Sequence, residues 1–349
     1  MWQRLFRHRA AVYGGILLLF FYLLVGLADF VAPYSETFED RQASYMPPSA
    51  IHLVEDGTLH LPFVYRNVRV YDEKEMLARF VEEEKARFPL RLLVRGEKYR
   101  FLFFSSDLHL FGVEAPARLF LCGADQDGRD IFSRILFGGR VSLMVGLFAI
   151  FLTVPIGLLV GGISGYFGGW IDGLCMRVVE ALMAIPAFYL LLALFGLTYR
   201  LEISPTQRFF LITGILSLVG WTGLARVIRG QVLVIRELEY VEAARALGAG
   251  PFRILFRHVL PQTASWVVVS ASLAIPGYIL SESALSMIGL GVQPPAASWG
   301  NMLSEGMNYA ALAVHPWLLY PGLAIVLAVI AFNLLGDGLR DALDSKQRV

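Results

Sequence analysis

Charge is scarce in this chain. Only 17% of its 349 residues are Asp, Glu, Lys or Arg, where soluble domains carry about a quarter. With 56% hydrophobic residues and a mean hydropathy of +0.58, the composition is that of a polytopic membrane protein. The net charge of +1 leaves no footprint for nucleic acid, and none is expected as a partner. Cysteine is nearly absent. Cys122 and Cys175 fall on opposite sides of the membrane in the arrangement below, which excludes a disulfide and leaves both as packing residues. The chain has no H-E-x-x-H and no G-x-S-x-G, and its 6 histidines lack metal-ligand spacing, so no catalytic or metal site is expected. No lysine follows a glycine, which excludes a Walker A loop: if ATP drives this protein, another chain binds it. The apolar spans also lack ionisable groups at mid-depth, since Glu180, Glu282 and His315 lie near span ends. That weakens the reading as an independent proton- or ion-coupled carrier.

What is present is a set of long apolar runs. A spanning helix needs about 20 apolar residues to cross a hydrocarbon core about 30 Å thick. Six runs meet or approach that length: Ala10–Ala28, Val141–Tyr166, Val178–Thr198, Phe209–Ala225, Val259–Leu280 and Trp317–Gly336. The first is too long for a signal peptide, and no small-residue cleavage site follows it. Arg4, Arg7 and Arg9 place the N-terminus in the cytoplasm. Counting spans then returns the C-terminus, and the segment bearing Arg226, Arg229, Arg236, Arg245, Arg253 and Arg257, to the same side. The expected fold is all-α and polytopic, with six transmembrane helices and a small α+β extracytoplasmic insert between spans 1 and 2. The expected partition is a cytoplasmic tail and first span at 1–32, the insert at 33–118 and a permease-like core at 119–349.

More than half of the charged residues fall between Glu36 and Arg140. Within this region "YDEKEMLARFVEEEKARF" reads as a helix, with Asp72 as N-cap and Met76, Leu77, Phe80, Val81 and Phe88 on one side. Its "EEEK" run reads as a solvated face, with a docking surface for a soluble partner as the alternative. "LRLLVRGEKYRFLFF" reads as a hairpin turning at Gly96 and Glu97. In "DQDGRDIFSR", Gly128 gives a turn and Asp130 starts a helix, while Arg129, Arg134 and Arg140 anchor the next span at the outer interface. "GLGVQPPAASWG" is too rich in Gly and Pro to span, and is expected as a re-entrant or surface turn. Glu282, just before it, makes a structural hydrogen bond or touches a substrate amine or gate.

Two further patterns concern packing and coupling. Gly157, Gly161, Gly165 and Gly169 recur every four residues after Thr153. Small residues at this spacing let helices approach closely in lipid, either within the chain or against a partner. "EYVEAARALGAGPFRILFRHVLP" instead reads like a soluble amphipathic helix between two spans. Tyr240, Val241, Ala244 and Leu247 can share a face, Glu242 and Arg245 can pair, Gly248 suits a left-handed helix end and Pro251 starts a second helix. An alanine-rich face buries little area against lipid headgroups, so insertion into a protein groove is the better account.

This stretch carries a resemblance. Glu242, Ala243, Ala244, Gly248, Leu260 and Pro261 stand in register with the E-A-A…G…L-P signature of bacterial ABC importer permeases, with His258 where the general signature has Ile. "GADQDGRDIFSRILFGGRVSL", "ALSMIGLGVQPPAASWGNML" and "PWLLYPGLAIVLAVIAFNLLGDGLRDALD" are similar to the dipeptide, oligopeptide and nickel permease family, and to its C-type second permease. The likeness covers the first span and about residues 118 to 349. It implies a bacterial inner-membrane subunit with both termini cytoplasmic, half of a translocation pathway for peptides or related solutes. It also implies a coupling helix within 237–261 that docks on an ATPase through Tyr240, Glu242, Ala243, Ala244, Leu247, Gly248, Arg253 and Arg257. Implied partners are a homologous second permease, two cytoplasmic ATPase subunits that hold ATP and Mg, an extracytoplasmic substrate-binding protein and the lipid bilayer. This chain would bind no cofactor. The rival readings are a stand-alone carrier or channel, and a membrane enzyme with its site in the insert.

Overall fold

The computed structural model describes residues 5–6, 8–55, 57–72, 77–101, 104–198 and 203–343. Arg4, Arg7, Met76 and the tail from Asp344 lie outside them. In chain order, α1 is Arg9–Gly26, followed by one turn at Ala28–Val31. Five strands follow: β1 His52–Glu55, β2 Thr58–Asp72, β3 Leu77–Pro89, β4 Arg91–Phe101 and β5 Phe104–Gly112. Then come α2 Ile131–Phe167, α3 Gly169–Ala184, α4 Ala187–Thr198, α5 Pro205–Ile235, α6 Glu239–Ala246 and α7 Pro251–Ile254. A π turn at Leu255–Val259 and a 3-10 turn at Leu260–Thr263 lead into α8, Ala264–Met287. The chain ends with α9 Trp299–Leu303, α10 Tyr309–Val314 and α11 Tyr320–Leu343.

Five helical stretches are long and apolar enough to cross a membrane: Arg9–Gly26, Ile131–Phe167, Gln207–Ile235, Pro251–Met287 and Pro316–Leu343. The expected single third span at Val178–Thr198 is instead a bent pair, α3 and α4, which turn through 86°. The cause is local. Pro186 disfavours helical backbone in the residue before it, and Ile185 sits at φ −85° and ψ 124°. Counted as one broken span, the pair brings the number to six. At 37 residues, α2 runs about 55 Å and exceeds the hydrocarbon thickness.

The chain packs as two compact units: residues 1–19, 143–285 and 327–349 form one, and 20–142 and 286–326 the other. In the first, the small-residue pattern of α2 meets α5 of the same chain. A Cβ at Gly157 would press on Leu224, one at Gly161 on the Ala225 carbonyl oxygen and one at Gly165 on the Arg229 carbonyl oxygen. Gly169 meets nothing within 4 Å and has φ +56°, so it opens α3 and takes no part in the contact with α5. Thr153, ahead of the series, shares a 2.9 Å hydrogen bond with the Tyr278 hydroxyl. The start of α1 lies against the end of α11: Gly338 leaves no room beside Ala11, and His8 is 3.3 Å from Asp341. The two ends of the described helical chain thus pack together.

In the second unit the insert is built differently from expectation. The segment read as a helix forms β3, antiparallel to β2, pairing Val68 with Val81, Arg69 with Phe80 and Asp72 with Leu77. Phe80 and Phe88 are eight residues apart, a spacing that suits one face of a helix or of a strand. Pairing with β2 decides between them. Val81 is exposed, while Phe80 and Phe88 pack against separate cores, around Met46 and Phe120 and around Val64 and Leu119. The "EEEK" run is partly engaged: Glu82 reaches His52 at 2.9 Å and Glu83 reaches Lys85 at 2.6 Å. The hairpin expected at Gly96 and Glu97 also moves. β4 continues through them with a register shift between Arg95 and Tyr99, and the connection to β5 falls at 102–103, outside the described residues. Gly96 is instead where the His109 ring crosses the strand, in space a Cβ would fill. Among the described residues the regular structure of the insert is five strands and one 3-10 turn at Arg41–Ala43.

The "DQDGRDIFSR" segment makes its turn at Gly128, φ +73°, and Asp130 caps α2 by accepting from the Ser133 backbone N–H at 2.9 Å. Arg129 and Arg134 are not interfacial anchors, however. They are 6% and 3% exposed. Arg129 donates to Asp125 at 2.7 Å and also faces Asp127 at 2.9 Å and Glu305 at 3.8 Å. Arg134 donates to the Pro295 carbonyl at 3.3 Å. Arg140 keeps nearer its expected role: it reaches the Val25 carbonyl and Asp29 and is partly exposed. The Gly/Pro-rich segment before α9 is irregular, and its backbone is satisfied by protein. Asn301 donates to the Ala296 carbonyl at 2.8 Å, Glu36 accepts from the Ala297 N–H at 2.7 Å, and Ser298 caps α9.

Two outcomes follow from this packing. Gly161→Ala drives a methyl into the Ala225 carbonyl, and is expected to lower stability by about 1–3 kcal/mol. Gly173→Ala, in open space, should lose much less; equal thermal shifts in detergent would refute the account. The second outcome concerns pH. Burial, then the nearby Asp125 charge, pushes the Glu305 carboxyl up to about 7, against the opposing Gln126 N–H and Arg129. Its neutral form is the one the fold favours. The stability it contributes is complete below the ordinary carboxylate range and is lost as pH rises toward 7. Melting between about pH 5 and 8 should therefore show a decline that Glu305→Gln makes shallower. A variant with the wild-type slope would exclude this group as the source.

Candidate functional site: the segment between α5 and α8

Helix α6 has two faces. Val241 and Ala244 are 0% and 9% exposed and join Ile228, Val232 and Ile235 of α5 with Ile254, Leu255 and Val259 in one apolar cluster. Leu158, Ile163 and Tyr166 of α2 pack on the same cluster. Glu239 and Glu242 in the first turn and Arg245 in the last suit the helix dipole. Glu242 and Arg245, expected to pair, are both exposed and form no ion pair with each other among the described residues.

The end of α6 is closed by main-chain bonds. The Ala249 N–H donates to the Ala244 carbonyl at 3.1 Å and the Gly248 N–H to the Arg245 carbonyl at 3.0 Å, the pair that defines a Schellman ending. Gly248 stands at φ +82°. A Cβ there would meet nothing within 4 Å, so glycine is required by the backbone rather than by space. Ala249 packs on the cluster that holds Ala244, which supplies the apolar contact of the motif. Gly250 is extended and Pro251 opens α7, where its missing N–H costs nothing.

The outer face is chemically distinct. Leu247 is 88% exposed, Phe252 61% and Tyr240 42%. Glu242, Ala243, Gly248, Arg253 and Arg257 are exposed as well. Three expected assignments change, the first being Tyr240, which is exposed and does not share the buried face of Val241 and Ala244. Leu247 does not share the face of Val241 and Ala244, because α6 ends at Ala246 and Leu247 is the C-cap at ψ 6°. Ala244 is buried in the chain's own cluster and offers little to a partner. Phe252 leans toward Phe167, with ring centroids 5.6 Å apart. Glu282 lies apart in α8, fully buried, where its carboxylate accepts a long 3.4 Å bond from the Ser283 hydroxyl.

Sequence reasoning missed the group that holds this segment's base. Asp172, in the first turn of α3, accepts from Arg229 of α5 through two bonds of 2.5 and 2.6 Å, a bidentate geometry. Ser164 of α2 donates to the same carboxylate, and Arg236 donates to the Gly165 carbonyl at 2.8 Å. The arginines were legible only as cytoplasmic charge. Asp172, the acid opposite them, lies 57 residues from Arg229, too far for a local pattern to reveal.

The family described as binding-protein-dependent transport system inner membrane component matches residues 154–349. The chain belongs to that family. The N-terminal TM domain of oligopeptide transport permease C matches residues 1–48. An oligopeptide transport system permease protein OppC of Haemophilus influenzae is 45% identical over 230 residues, 65% of this chain and 70% of the relative. A glutathione transport system permease protein GsiD of Pectobacterium atrosepticum is 42% identical, covering 67% of this chain and 75% of its own length. A dipeptide transport system permease protein DppC of Bacillus subtilis is 42% identical, covering 65% and 68%. This family member is thus an inner-membrane component with several membrane helices, and its E-A-A segment is the element α6 to α7.

The Schellman ending makes a test of local structure. Gly248→Ala forces a Cβ into left-handed backbone at a cost of about 1 kcal/mol. Amide exchange across 241–249 should quicken, while Gly250→Ala, at φ −66°, leaves it unchanged. Equal exchange in the two variants would count against a glycine-dependent closure.

Proposed function

We propose that this chain is the permease subunit of an ATP-driven importer of peptides, and that the α6–α7 segment is where an ATPase subunit docks. The observation that carries the docking reading is the exposure of Leu247 and Phe252 on a short helical element whose other face is already buried in its own subunit. A lone amphipathic helix seeking lipid would leave its whole apolar side unpartnered. Here a small apolar prominence remains, flanked by Glu242, Arg245, Arg253 and Arg257, as suits insertion into a protein groove with a charged rim. The peptide assignment is supported by the oligopeptide, dipeptide and glutathione permeases among the relatives.

The mechanism that fits is mechanical. Closure of an ATPase pair moves the docked segment, and the cluster beneath α6 passes that displacement to α5 and α2. Close-packed interiors transmit such a push with little compression. The rest of the complex is a homologous second permease, two ATPase subunits holding ATP and Mg, and a substrate-binding protein that delivers cargo outside. The α6–α7 segment and both chain ends are placed in the cytoplasm. Supporting this are the six arginines between Arg226 and Arg257 and the packing of α1 against the end of α11.

Leu247→Asp tests the docking reading without disturbing the fold, since the side chain is almost fully exposed. The variant should insert in the membrane at wild-type level but lose ATPase co-purification and peptide uptake by about tenfold or more. Glu242→Lys should act in the same direction. Full uptake and normal co-purification in Leu247→Asp would remove this surface from the interface.

A further inference from the structure

Strands β4 and β5 form a two-stranded ribbon of their own, rooted at the end of the first span. Leu110 of β5 packs with Leu24 and Phe30 on the cluster of Ala28, Val31, Leu136 and Phe137. His109 Nδ1 donates to the Ala32 carbonyl at 2.7 Å. Both strands touch the turn Ala28–Val31, so β4 lies beside that turn as well. The height of the ribbon follows. The apolar span ends at Gly26, and the path from there to Ala32 rises about 9 Å at helical pitch. Headgroups extend the bilayer by about 5–7 Å on each side of its hydrocarbon core. The ribbon therefore meets α1 at the level of the headgroups.

What β4 displays suits that level. Leu92 is 74% exposed and Leu93 56%. Leu93 also stands at φ +55°, left-handed backbone that a leucine adopts only at a cost. A glycine would relieve that strain. The leucine instead keeps apolar surface on the outside. Both leucines line an open cleft of about 690 Å³ between β4 and Pro33, Tyr34 and Phe38, so no described part of this chain covers them. Around them Arg95, Lys98 and Arg100 are exposed and have no acid partner among the described residues, while Arg91 is engaged by Glu114. Basic charge alone would suit any solvated strand. The leucines and the height of the ribbon single out the bilayer, where basic side chains lay their stems along the acyl boundary and their charges at the phosphates. We propose that β4 is a membrane-surface anchor: Leu92 and Leu93 dip into the bilayer beside α1, and Arg95 and Lys98 meet lipid phosphates. The anchor is independent of the docking surface at Leu247 and of which compartment the insert occupies.

The test uses the full chain in nanodiscs of phosphatidylcholine and phosphatidylglycerol. In a Cys122→Ser/Cys175→Ser background, a nitroxide is attached at Leu92→Cys or Leu93→Cys. Its relaxation by oxygen, which concentrates in lipid, is compared with relaxation by a nickel chelate, which stays in water. Both labels should favour oxygen, as should one at Leu19→Cys, an exposed apolar position of the first span. Preference for the nickel chelate would place the strand in water and overturn the anchor. Shielding from both reagents would mean that protein covers the strand, and would overturn its assignment to lipid. Arg95→Glu/Lys98→Glu, added to Leu92→Cys, should shift the label toward the nickel chelate by turning attraction for the phosphates into repulsion. Unchanged depth in that variant would overturn the part given to the cations. All four positions on β4 are exposed, so the variants should melt like their parent. ATPase co-purification should also be normal, which keeps failure of the anchor separate from failure of the docking reading.

Discussion

The carbonyl of Ala225 occupies the place where a side chain at position 161 would stand. This contact sets the α2–α5 joint, on which the α6–α7 segment rests. Lipid offers no hydrophobic drive for one helix to leave it for another, so association depends on close packing and on polar bonds. Gly157, Gly161 and Gly165 supply the first. Asp172 and Arg229 supply the second, with Arg236 closing the carbonyl end of α2 at Gly165. Cations suit that end of a helix for reasons of dipole as well as of hydrogen bonding. Three helices are thereby fixed at one level.

That joint explains why an eight-residue helix can matter to a subunit of this size. Alone, α6 is too short to be stable in water. Its structure comes from the burial of Val241 and Ala244 on α5 and from the Schellman closure at Gly248. The same contacts that make it fold also attach it to the joint. A helix held only by its neighbours cannot be displaced without moving them, provided its own end does not fray. Closure by two main-chain bonds prevents such fraying, whereas a flexible glycine linker would absorb the motion. The π turn at Leu255–Val259 keeps Leu255 and Val259 in the same cluster on the way to α8.

The parts legible in the sequence are those governed by composition or by a local backbone rule. Span positions follow from hydropathy, the turn at Gly248 from its helix context, and the start of α2 from Asp130. Errors arose where a distant partner decided the outcome. Phe80 and Phe88 fit either periodicity until β2 is known to lie alongside. Gly96 looked like a turn because the His109 that crosses it comes from another strand. Arg129 and Arg134 looked like interface anchors because Glu305, which completes their surroundings, is about 170 residues away. Leu247 was misassigned for a different reason. The 3.6-residue count was extended one step past the last helical residue, where the backbone no longer obeys it. The kink at Pro186 was readable from the Ile-Pro pair alone, and only its length of apolar sequence argued for an unbroken span.

The buried arginines Arg129 and Arg134 pose an electrostatic problem that their surroundings have to meet. A buried ion network generally adds little net stability, because desolvation consumes most of the attraction. The network around Arg129 and Arg134 meets that cost by limiting its charge. Burial pushes the Asp130 and Glu305 carboxyls up to about 7, so near neutral pH each carries less than a full charge. Two guanidiniums then face Asp125 and Asp127, and the cluster approaches neutrality.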